Sequence, residues 1–306
     1  MTKVLVATVK PFAPTAVQQI KDICDKAGYE IELFEKYGDQ SELVDAVADA
    51  DALIVRSDKI TKEVIDNAKN LKIVVRAGAG YDNVDLDAAS EKEIVVMNTP
   101  GQNSNAVAEL ALGMMVFQAR NQFNGKAGTE LQGKKLGIHA YGNVGKFVAR
   151  IAQGFGMITY AFDPFIGKDI IENDGVKALE SEEELYSQCQ YVSLHIPANE
   201  KTRKSINYAL LSKMPKNAVL VNTARKEVID EDDLMKILNE RDDFTYISDI
   251  APDCADQIRD KYEERCFFTP KKMGAQTAEA NINAGIAAAN QIINYLEKGD
   301  TKFQVN

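Results

Sequence analysis

A chain of 306 residues with 45% apolar and 27% charged side chains is typical of a soluble globular protein large enough for two lobes. Its net charge of -10 disfavours nucleic acid and anionic membranes as partners, because both would be repelled. Four scattered cysteines, two histidines and no long apolar run argue against a disulfide framework, a metal site, a signal peptide and a membrane span, so we expect a cytoplasmic protein.

Short apolar strands alternate with helical patterns along the first hundred residues. Helical patterns include 14–27 and 61–69, and the strand candidates are 3–9, 30–35, 52–55, 72–75 and 94–98. Continuous apolar strands separated by helices are typical of parallel sheets that are covered on both faces. The pattern predicts a first α/β lobe with five strands.

A break follows in "NTPGQNSNAVAEL" (98–110), where proline and glycine precede a helix at 105–120. Six further strand candidates lie at 135–141, 158–163, 191–196, 218–222, 245–250 and 266–269. A last helix over roughly 277–298 can return the chain to the first lobe. We therefore predict a discontinuous lobe of residues 1–99 plus 280–306 and a second lobe of residues 100–279.

The segment "KKLGIHAYGNVGKFVARIAQGFG" (134–156) reads as a strand, a turn and a helix. Ala140, Gly142 and Gly145 occupy the three positions of a GxGxxG pattern, in which glycines let a pyrophosphate approach the backbone at a helix N-terminus. Alanine in the first position departs from the pattern. The residues expected to face a dinucleotide here are Gly142, Asn143, Val144 and Gly145.

Asp163 ends the next strand candidate, "ITYAFD". It lies roughly 20 residues beyond the glycines, the distance expected for an acid that bonds the adenosine ribose hydroxyls. A carboxylate there would repel a 2′-phosphate, so NAD is predicted in preference to NADP. The alternative is that Asp163 only makes an Asp-Pro turn with Pro164.

The string "VNTARKEVIDEDDL" (221–234) resembles a segment of the D-2-hydroxyacid dehydrogenases. "RSDKIT" (56–61), "VVRAGAGYDNVD" (74–85), "VAELALGMM" (107–115) and "SLHIP" (193–197) resemble other segments of that family. The resemblance is greatest to short-type D-3-phosphoglycerate dehydrogenases. It implies two doubly wound parallel-sheet lobes, a flavodoxin-like substrate lobe (1–99 plus 280–306) and a Rossmann NAD-binding lobe (100–279), with a cleft between them.

The resemblance also implies an activity. D-3-phosphoglycerate would be oxidised by NAD to 3-phosphohydroxypyruvate, the first step of phosphorylated serine biosynthesis. Arg225 matches the arginine that binds the substrate carboxylate; its alternative role is a surface salt bridge. Arg56, Lys59 and Arg76 would suit a phosphate group.

Further roles come from the resemblance residue by residue. Asp249 matches the aspartate that meets the nicotinamide carboxamide. Positions expected to face the cofactor are His195, Ile196, Pro197, Thr223, Ala224, Asp249, Gly274 and Ala275. Positions expected to face the substrate are Arg56, Ser57, Gly78, Ala79 and Asn103.

The segment "TPKKMGAQT" (269–277) departs from the family string "TPHIGAST", whose histidine works with a glutamate in proton transfer. Aligned on "GAQT", Lys272 takes the histidine's place, and Lys271 is an ordinary solvated charge. The glutamate's place, five residues after Asp249, is occupied by Cys254, with Asp253 one residue earlier. His139 is interpreted as a core residue. Either the chain is inactive, or Lys272 is the acid/base, as in a lysine-bearing subgroup of phosphoglycerate dehydrogenases.

Two rival functions remain open at this stage. One is a glyoxylate or hydroxypyruvate reductase acting on an unphosphorylated 2-hydroxy acid, and the other is a non-catalytic NAD-binding scaffold. The resemblance further implies a homodimer through the NAD-binding lobe, with the helix at 105–120 and the arm after it packing on the partner.

Overall fold

The computed structural model describes all 306 residues. They form two compact units, a first unit of Met1–Asn103 with Gln276–Asn306 and a second unit of Ser104–Ala275. The substrate-binding and NAD-binding roles assigned to the two lobes stay predictions.

Twelve strands occur along the chain. They are β1 (Lys3–Thr8), β2 (Glu30–Glu35), β3 (Ala52–Val55), β4 (Ile73–Arg76), β5 (Val95–Asn98), β6 (Lys135–His139), β7 (Ile158–Phe162), β8 (Lys177–Ala178), β9 (Tyr191–Leu194), β10 (Val219–Asn222), β11 (Thr245–Ser248) and β12 (Cys266–Phe268).

Twelve α-helices lie between and after the strands. They are α1 (Pro14–Lys26), α2 (Gln40–Ala46), α3 (Lys62–Asn67), α4 (Leu86–Glu91), α5 (Ser104–Ala119), α6 (Asn143–Gly154), α7 (Lys168–Asn173), α8 (Glu182–Gln188), α9 (Tyr208–Leu211), α10 (Glu231–Glu240), α11 (Ala255–Tyr262) and α12 (Ala278–Lys298). Short 3₁₀ turns occupy Asn121–Phe123, Lys226–Val228 and Glu263–Arg265. None of these helices combines the length and the apolar character needed to cross a membrane.

The first unit contains the five predicted strands in one parallel sheet, ordered β2-β1-β3-β4-β5. This is the flavodoxin-like order. Successive side chains of β1 point to opposite faces, so Val4 packs with α1 and α12 while Leu5 packs with α2 and α3. Burial on both faces explains why the strand reads as a continuous apolar run.

Helix α12 belongs to the first unit although it is the last helix in the chain. The Thr277 side chain accepts the Ala280 N–H at its start, and Gly299 in a left-handed conformation ends it. Its Ala284, Ala288 and Ile292 are buried against the first sheet. The sheet therefore depends on a segment that follows the whole second unit.

The second unit contains one parallel sheet of seven strands, ordered β12-β11-β10-β9-β6-β7-β8. The order reverses beside β6, and ligands of such sheets bind at the carboxyl ends of the strands near this reversal. The prediction of six strands was wrong by one, because β8 has only two residues and gives no apolar run. Strand β6 also ends at His139 rather than at residue 141.

Candidate active site

The turn between β6 and α6 begins with a strained residue. Ala140 has φ of 77°, a left-handed conformation that glycine adopts easily and alanine does not. Gly142 is the N-cap of α6, and no side chain caps this helix. The first N–H groups of α6 are therefore placed at the carboxyl end of the sheet, where an anion can accept them.

Gly142 and Gly145 meet different surroundings. A Cβ atom at Gly142 would have no atom within 4 Å, so the backbone there borders open space. A Cβ atom at Gly145 would collide with the Ala140 carbonyl oxygen and lie 3.0 Å from Ile138 Cγ2. The first glycine leaves room for a ligand and the second allows α6 to pack on β6. Both features fit a dinucleotide pyrophosphate.

Asp163 follows β7 and lies beside this turn. Its Oδ2 accepts the Tyr141 N–H at 2.8 Å, and its Oδ1 accepts the N–H groups of Phe165 at 2.8 Å and Ile166 at 3.2 Å. The Asp-Pro turn considered as an alternative is thus present. The same carboxylate is tied to the glycine-rich turn, so the two features expected to hold one adenosine diphosphate group are adjacent.

His195 continues the line of β9 beside β6. Its N–H donates to the His139 carbonyl at 2.9 Å, and its Nε2 lies 2.9 Å from Ser193 Oγ. Burial, with a smaller contribution from the charge of His139, lowers the pKa of His195 to about 3, so the ring is neutral at pH 7. Ile196 is buried and Pro197 is exposed just beyond it.

His139 is buried, as expected of a core residue. Its Nδ1 lies 3.2 Å from the Tyr186 hydroxyl, and its Nε2 lies 3.5 Å from Glu182 Oε1. The imidazole lowers the pKa of the Glu182 carboxyl.

Asn222 organises the end of β10. Its Oδ1 accepts the Ala224 N–H and its Nδ2 donates to the Arg225 carbonyl, both at 2.9 Å. The Arg225 guanidinium donates one N–H to the Ala224 carbonyl. Thr223 Oγ1 is buried and has no hydrogen-bond partner. A tight turn thus holds Arg225 next to a buried hydroxyl that has no partner within the chain.

Asp249 is 2% exposed and holds the segment that carries Lys272. Its Oδ1 accepts the Met273 N–H at 2.7 Å and lies 3.1 Å from Thr269 Oγ1, and its Oδ2 accepts the Gly274 N–H at 2.8 Å. We call residues 269–274 the lysine loop. The side chains of Lys271 and Lys272 are exposed, whereas Gly274 is buried.

One small recess collects the main predicted groups of the second unit. We call it the Arg225 recess, and it is lined by Asn222, Thr223, Ala224, Arg225, Asp249, Ile250 and Lys272. Arg225 and Lys272, predicted to bind the substrate carboxylate and to transfer the proton, therefore border the same space. The lining residues come from the ends of the neighbouring strands β10 and β11 and from the lysine loop.

Cys254 occupies the position at which the resembled dehydrogenases carry a glutamate. Burial raises the pKa of the Cys254 thiol to about 12, so this side chain stays neutral at physiological pH. Glu231 Oε1 accepts the Asp253 N–H and Oε2 accepts the Cys254 N–H, both at 2.9 Å. Lys226, which follows Arg225, pairs with Asp253. The Glu231 carboxylate is thus close to Cys254, but both of its oxygens accept backbone N–H groups.

The predicted substrate residues lie in the first unit, near the carboxyl ends of β3 and β4. The Arg56 guanidinium donates to the carbonyls of Lys10 and Pro11 and to Asn281 Oδ1. Arg76 Nε donates to the Arg56 carbonyl at 2.9 Å. These bonds bring two cationic side chains to one edge of the sheet.

The other predicted substrate residues form the nearby chain turns. Ser57 and Ala79 are exposed, and Gly78 is buried. The Ala79 carbonyl accepts from Asn98 Nδ2 at 2.6 Å. Asn103 ends the first segment of this unit, directly before α5.

Two organising residues of the site were not predicted. In the sequence, Asn222 is the last residue of the strand candidate 218–222, and Thr269 is the last residue of the strand candidate 266–269. Strand-end polar residues at the carboxyl edge of a parallel sheet were the available signal. Ala275 follows Gly274 and is partly buried.

Comparison with known proteins gives consistent matches. A family model described as D-isomer specific 2-hydroxyacid dehydrogenase, catalytic domain, matches residues 4–306. A D-3-phosphoglycerate dehydrogenase of Methanocaldococcus jannaschii is 38% identical over 272 residues, which are 83% of this chain and 51% of that protein. The chain thus spans about half the length of this relative.

Two further matches cover most of the length of both this chain and the matched protein. A hydroxypyruvate reductase of Thermotoga maritima is 36% identical over 286 residues, 87% of this chain and 92% of that protein. The crystal structure of an NAD+-bound 3-phosphoglycerate dehydrogenase of Entamoeba histolytica has a TM-score of 0.88 and 47% identity, covering 100% of this chain and 98% of that chain.

Proposed function

This chain belongs to the D-isomer specific 2-hydroxyacid dehydrogenase family, and from that membership we propose that it is an NAD-dependent enzyme that oxidises D-3-phosphoglycerate to 3-phosphohydroxypyruvate. The reaction would be the first step of phosphorylated serine biosynthesis. The names of the Methanocaldococcus and Entamoeba proteins support this substrate. The observation that carries the proposal is the Arg225 recess, which Arg225 and Lys272 both line.

In this proposal the second unit holds NAD. Gly142, Asn143, Val144 and Gly145 bind the pyrophosphate at the start of α6, and Asp163 bonds the adenosine ribose. NAD bound there would supply the acceptor for the hydride that leaves C2 of the substrate. The open space beside Gly142 and the partnerless Thr223 hydroxyl support this placement.

Arg225 binds the substrate carboxylate and polarises the developing carbonyl. A planar guanidinium offers five donors in a fork that matches a carboxylate, so the bond to the Ala224 carbonyl leaves capacity for a bidentate contact. Asn222 fixes the backbone on both sides of this arrangement. Such preorganised positive charge stabilises a transition state in which negative charge develops on oxygen.

Lys272 takes the hydroxyl proton during oxidation and returns it during reduction. An ordinary lysine pKa of about 10.4 must fall by roughly 2 to 3 units for the amine to act as a base near neutrality. The like charges of Arg225 and of oxidised nicotinamide would both favour the neutral amine. Oxidation is therefore expected to accelerate into alkaline pH.

The phosphate of the substrate is assigned to cationic groups of the first unit. Arg56 and Arg76 lie at the carboxyl ends of β3 and β4, where Arg76 Nε donates to the Arg56 carbonyl, and Lys59 lies on the turn after β3. Phosphate favours such clustered donors. Ser57, Gly78, Ala79 and Asn103 are assigned to the remainder of the substrate.

A substrate panel tests the proposal. Wild type, Lys272→Met and Lys271→Met are assayed with D-3-phosphoglycerate and with D-glycerate, each with NAD and with NADP, from pH 7 to 10. We expect NAD-dependent turnover of the phosphorylated acid, loss of at least roughly 100-fold in Lys272→Met with NADH still bound, and an unaffected Lys271→Met. Full turnover by Lys272→Met would remove this residue from the mechanism.

A second candidate is favoured by the Thermotoga relative, which is named hydroxypyruvate reductase and matches over most of its length. Faster reduction of hydroxypyruvate than of 3-phosphohydroxypyruvate would select it. If no 2-hydroxy acid is turned over while NADH binds, the chain is a non-catalytic NAD-binding scaffold instead.

The second unit is also proposed to form a homodimer through α5 and the arm that follows it. Support comes from Phe123 in this arm, whose side chain is 65% exposed. Exposed aromatic rings are enriched at protein interfaces. Sedimentation equilibrium should give twice the chain mass of 33.7 kDa, and Phe123→Asp should shift the distribution toward one chain.

A further inference from the structure

We propose that Thr269 is a positioning residue that fixes the lysine loop through Asp249. The inference rests on the proposed function, because it concerns the loop whose Lys272 is assigned to proton transfer. Thr269 is 4% exposed and carries none of the roles assigned above.

Both anchor points of the loop directly follow strands of the second sheet. The Asp249 N–H donates to the Asn222 carbonyl at 2.9 Å and the Thr269 N–H to the Ser248 carbonyl at 3.1 Å. These bonds extend the β10–β11 and β11–β12 pairings by one residue. Asp249 and Thr269 are therefore held side by side before the loop begins.

The hydroxyl of Thr269 lies between two acceptors. Its Oγ1 is 3.1 Å from Asp249 Oδ1 and 2.9 Å from the Lys271 carbonyl oxygen. A hydroxyl has one proton and can donate to only one of them at a time. When it donates to the Lys271 carbonyl, it ties the peptide that precedes Lys272 to the sheet. When it donates to Asp249, it supports the carboxylate that holds the peptide after Lys272.

The peptide that follows Lys272 is held by the same carboxylate. Asp249 Oδ1 accepts the Met273 N–H at 2.7 Å and Oδ2 accepts the Gly274 N–H at 2.8 Å. Hydrogen bonds to an ionised acceptor are stronger than neutral ones. The backbone is thus fixed on both sides of Lys272, although the side chain of Lys272 is exposed.

The absence of a side chain at Gly274 is part of this arrangement. A Cβ atom there would lie 2.9 Å from Asp249 Oδ2 and 3.1 Å from Val107 Cγ2 on α5. The loop can therefore approach the carboxylate this closely only with glycine at this position. A misplaced amine is costly, since displacement of a catalytic group by about 1 Å can lower a rate roughly 100-fold.

Thr269→Val tests the role, since valine keeps the shape and removes the hydroxyl. We expect kcat to fall roughly 10- to 100-fold with little change in NADH affinity, and the alkaline limb of the kcat profile to move to higher pH. We also expect faster amide hydrogen exchange at Met273 and Gly274. Thr269→Ser, which restores the hydroxyl, should recover the rate, the profile and the slow exchange.

Amide exchange does not depend on activity, so it separates this inference from the proposed function. Faster exchange together with a lower kcat, both recovered by serine, supports the role. Unchanged exchange in Thr269→Val overturns it whatever the rate does, and so does faster exchange with an unchanged kcat. Full activity of Lys272→Met, by contrast, overturns the assignment of Lys272 to proton transfer. The contacts of Thr269 with the lysine loop would then be tested by amide exchange alone.

Discussion

Ala140 is the residue at which the glycine-rich turn of the second unit differs from the usual pattern. With φ of 77° it occupies a conformation that costs a residue bearing a Cβ atom about 1 to 2 kcal/mol. The turn keeps its shape because Asp163 accepts the N–H of the next residue, Tyr141. The turn therefore stores strain next to a predicted ligand.

Ala140→Gly is expected to stabilise the protein. Relief of strain is partly offset by the larger conformational freedom that glycine gives the unfolded chain, so the net gain should be about 0.5 to 1 kcal/mol. Urea unfolding followed by circular dichroism measures it. Ala287→Gly, within α12, should destabilise by about 1 kcal/mol, and equal losses in both variants would contradict the strain assignment.

His195 is expected to make stability fall in mild acid. Its folded-state pKa of about 3 lies below the ordinary value of 6.5, so between these values the unfolded chain binds more protons at this residue. The free energy of unfolding should therefore drop as the pH falls from 6.5 toward 3, by at most about 1.4 kcal/mol per pH unit. Partial contact of His195 with solvent makes the expected slope smaller.

The comparison with His195→Gln isolates this effect from carboxylate protonation. Glutamine can place a polar atom near Ser193 but does not titrate. The variant should lose less stability than wild type between pH 6.5 and 4. Parallel curves for the two proteins would show that His195 does not contribute.

At the scale of the elements, the start of α6 allows a matched pair of substitutions, in which Gly142 or Gly145 is replaced by alanine. Gly145→Ala should push α6 away from β6 and cost roughly 1 to 3 kcal/mol of stability. Gly142→Ala should keep the stability, because its Cβ atom meets no neighbour, yet bind NADH at least roughly tenfold more weakly by filling the ligand's space. Urea unfolding and NADH fluorescence titration distinguish these effects.

The sequence predicted strands best where burial on both faces of the sheet requires a continuous run of apolar residues. Strands β1, β3, β4 and β5 were found for this reason, whereas β8, with the two residues Lys177 and Ala178, left no pattern. Strand ends were less accurate, since the chain leaves β6 at Ala140 through a backbone angle that composition does not encode. The roles of Asn222 and Thr269 depend on contacts between separate strands, which spacing along one chain does not reveal.

At the scale of the whole molecule, the second unit is expected to fold alone. Residues 104–275 contain all seven strands of its sheet together with two large apolar clusters. The isolated segment should unfold cooperatively in urea and bind NADH. Residues 1–103 alone should not fold stably, because α12 is missing from the apolar cluster that includes Val4 and Ile20.

Joining residues 1–103 to 276–306 through a glycine-serine linker provides the control. This chain should regain a cooperative transition in circular dichroism. Equal cooperativity with and without residues 276–306 would show that α12 is dispensable for the first sheet.

The late position of α12 has a consequence for synthesis on the ribosome. About 180 residues separate the end of β5 from the start of α12, which corresponds to roughly 10 to 40 s at 5 to 20 residues per second. During that interval the nascent first sheet exposes the face that Ala284, Ala288 and Ile292 later cover. The second unit can finish folding first, and residues 1–103 need protection from aggregation until α12 has been synthesised.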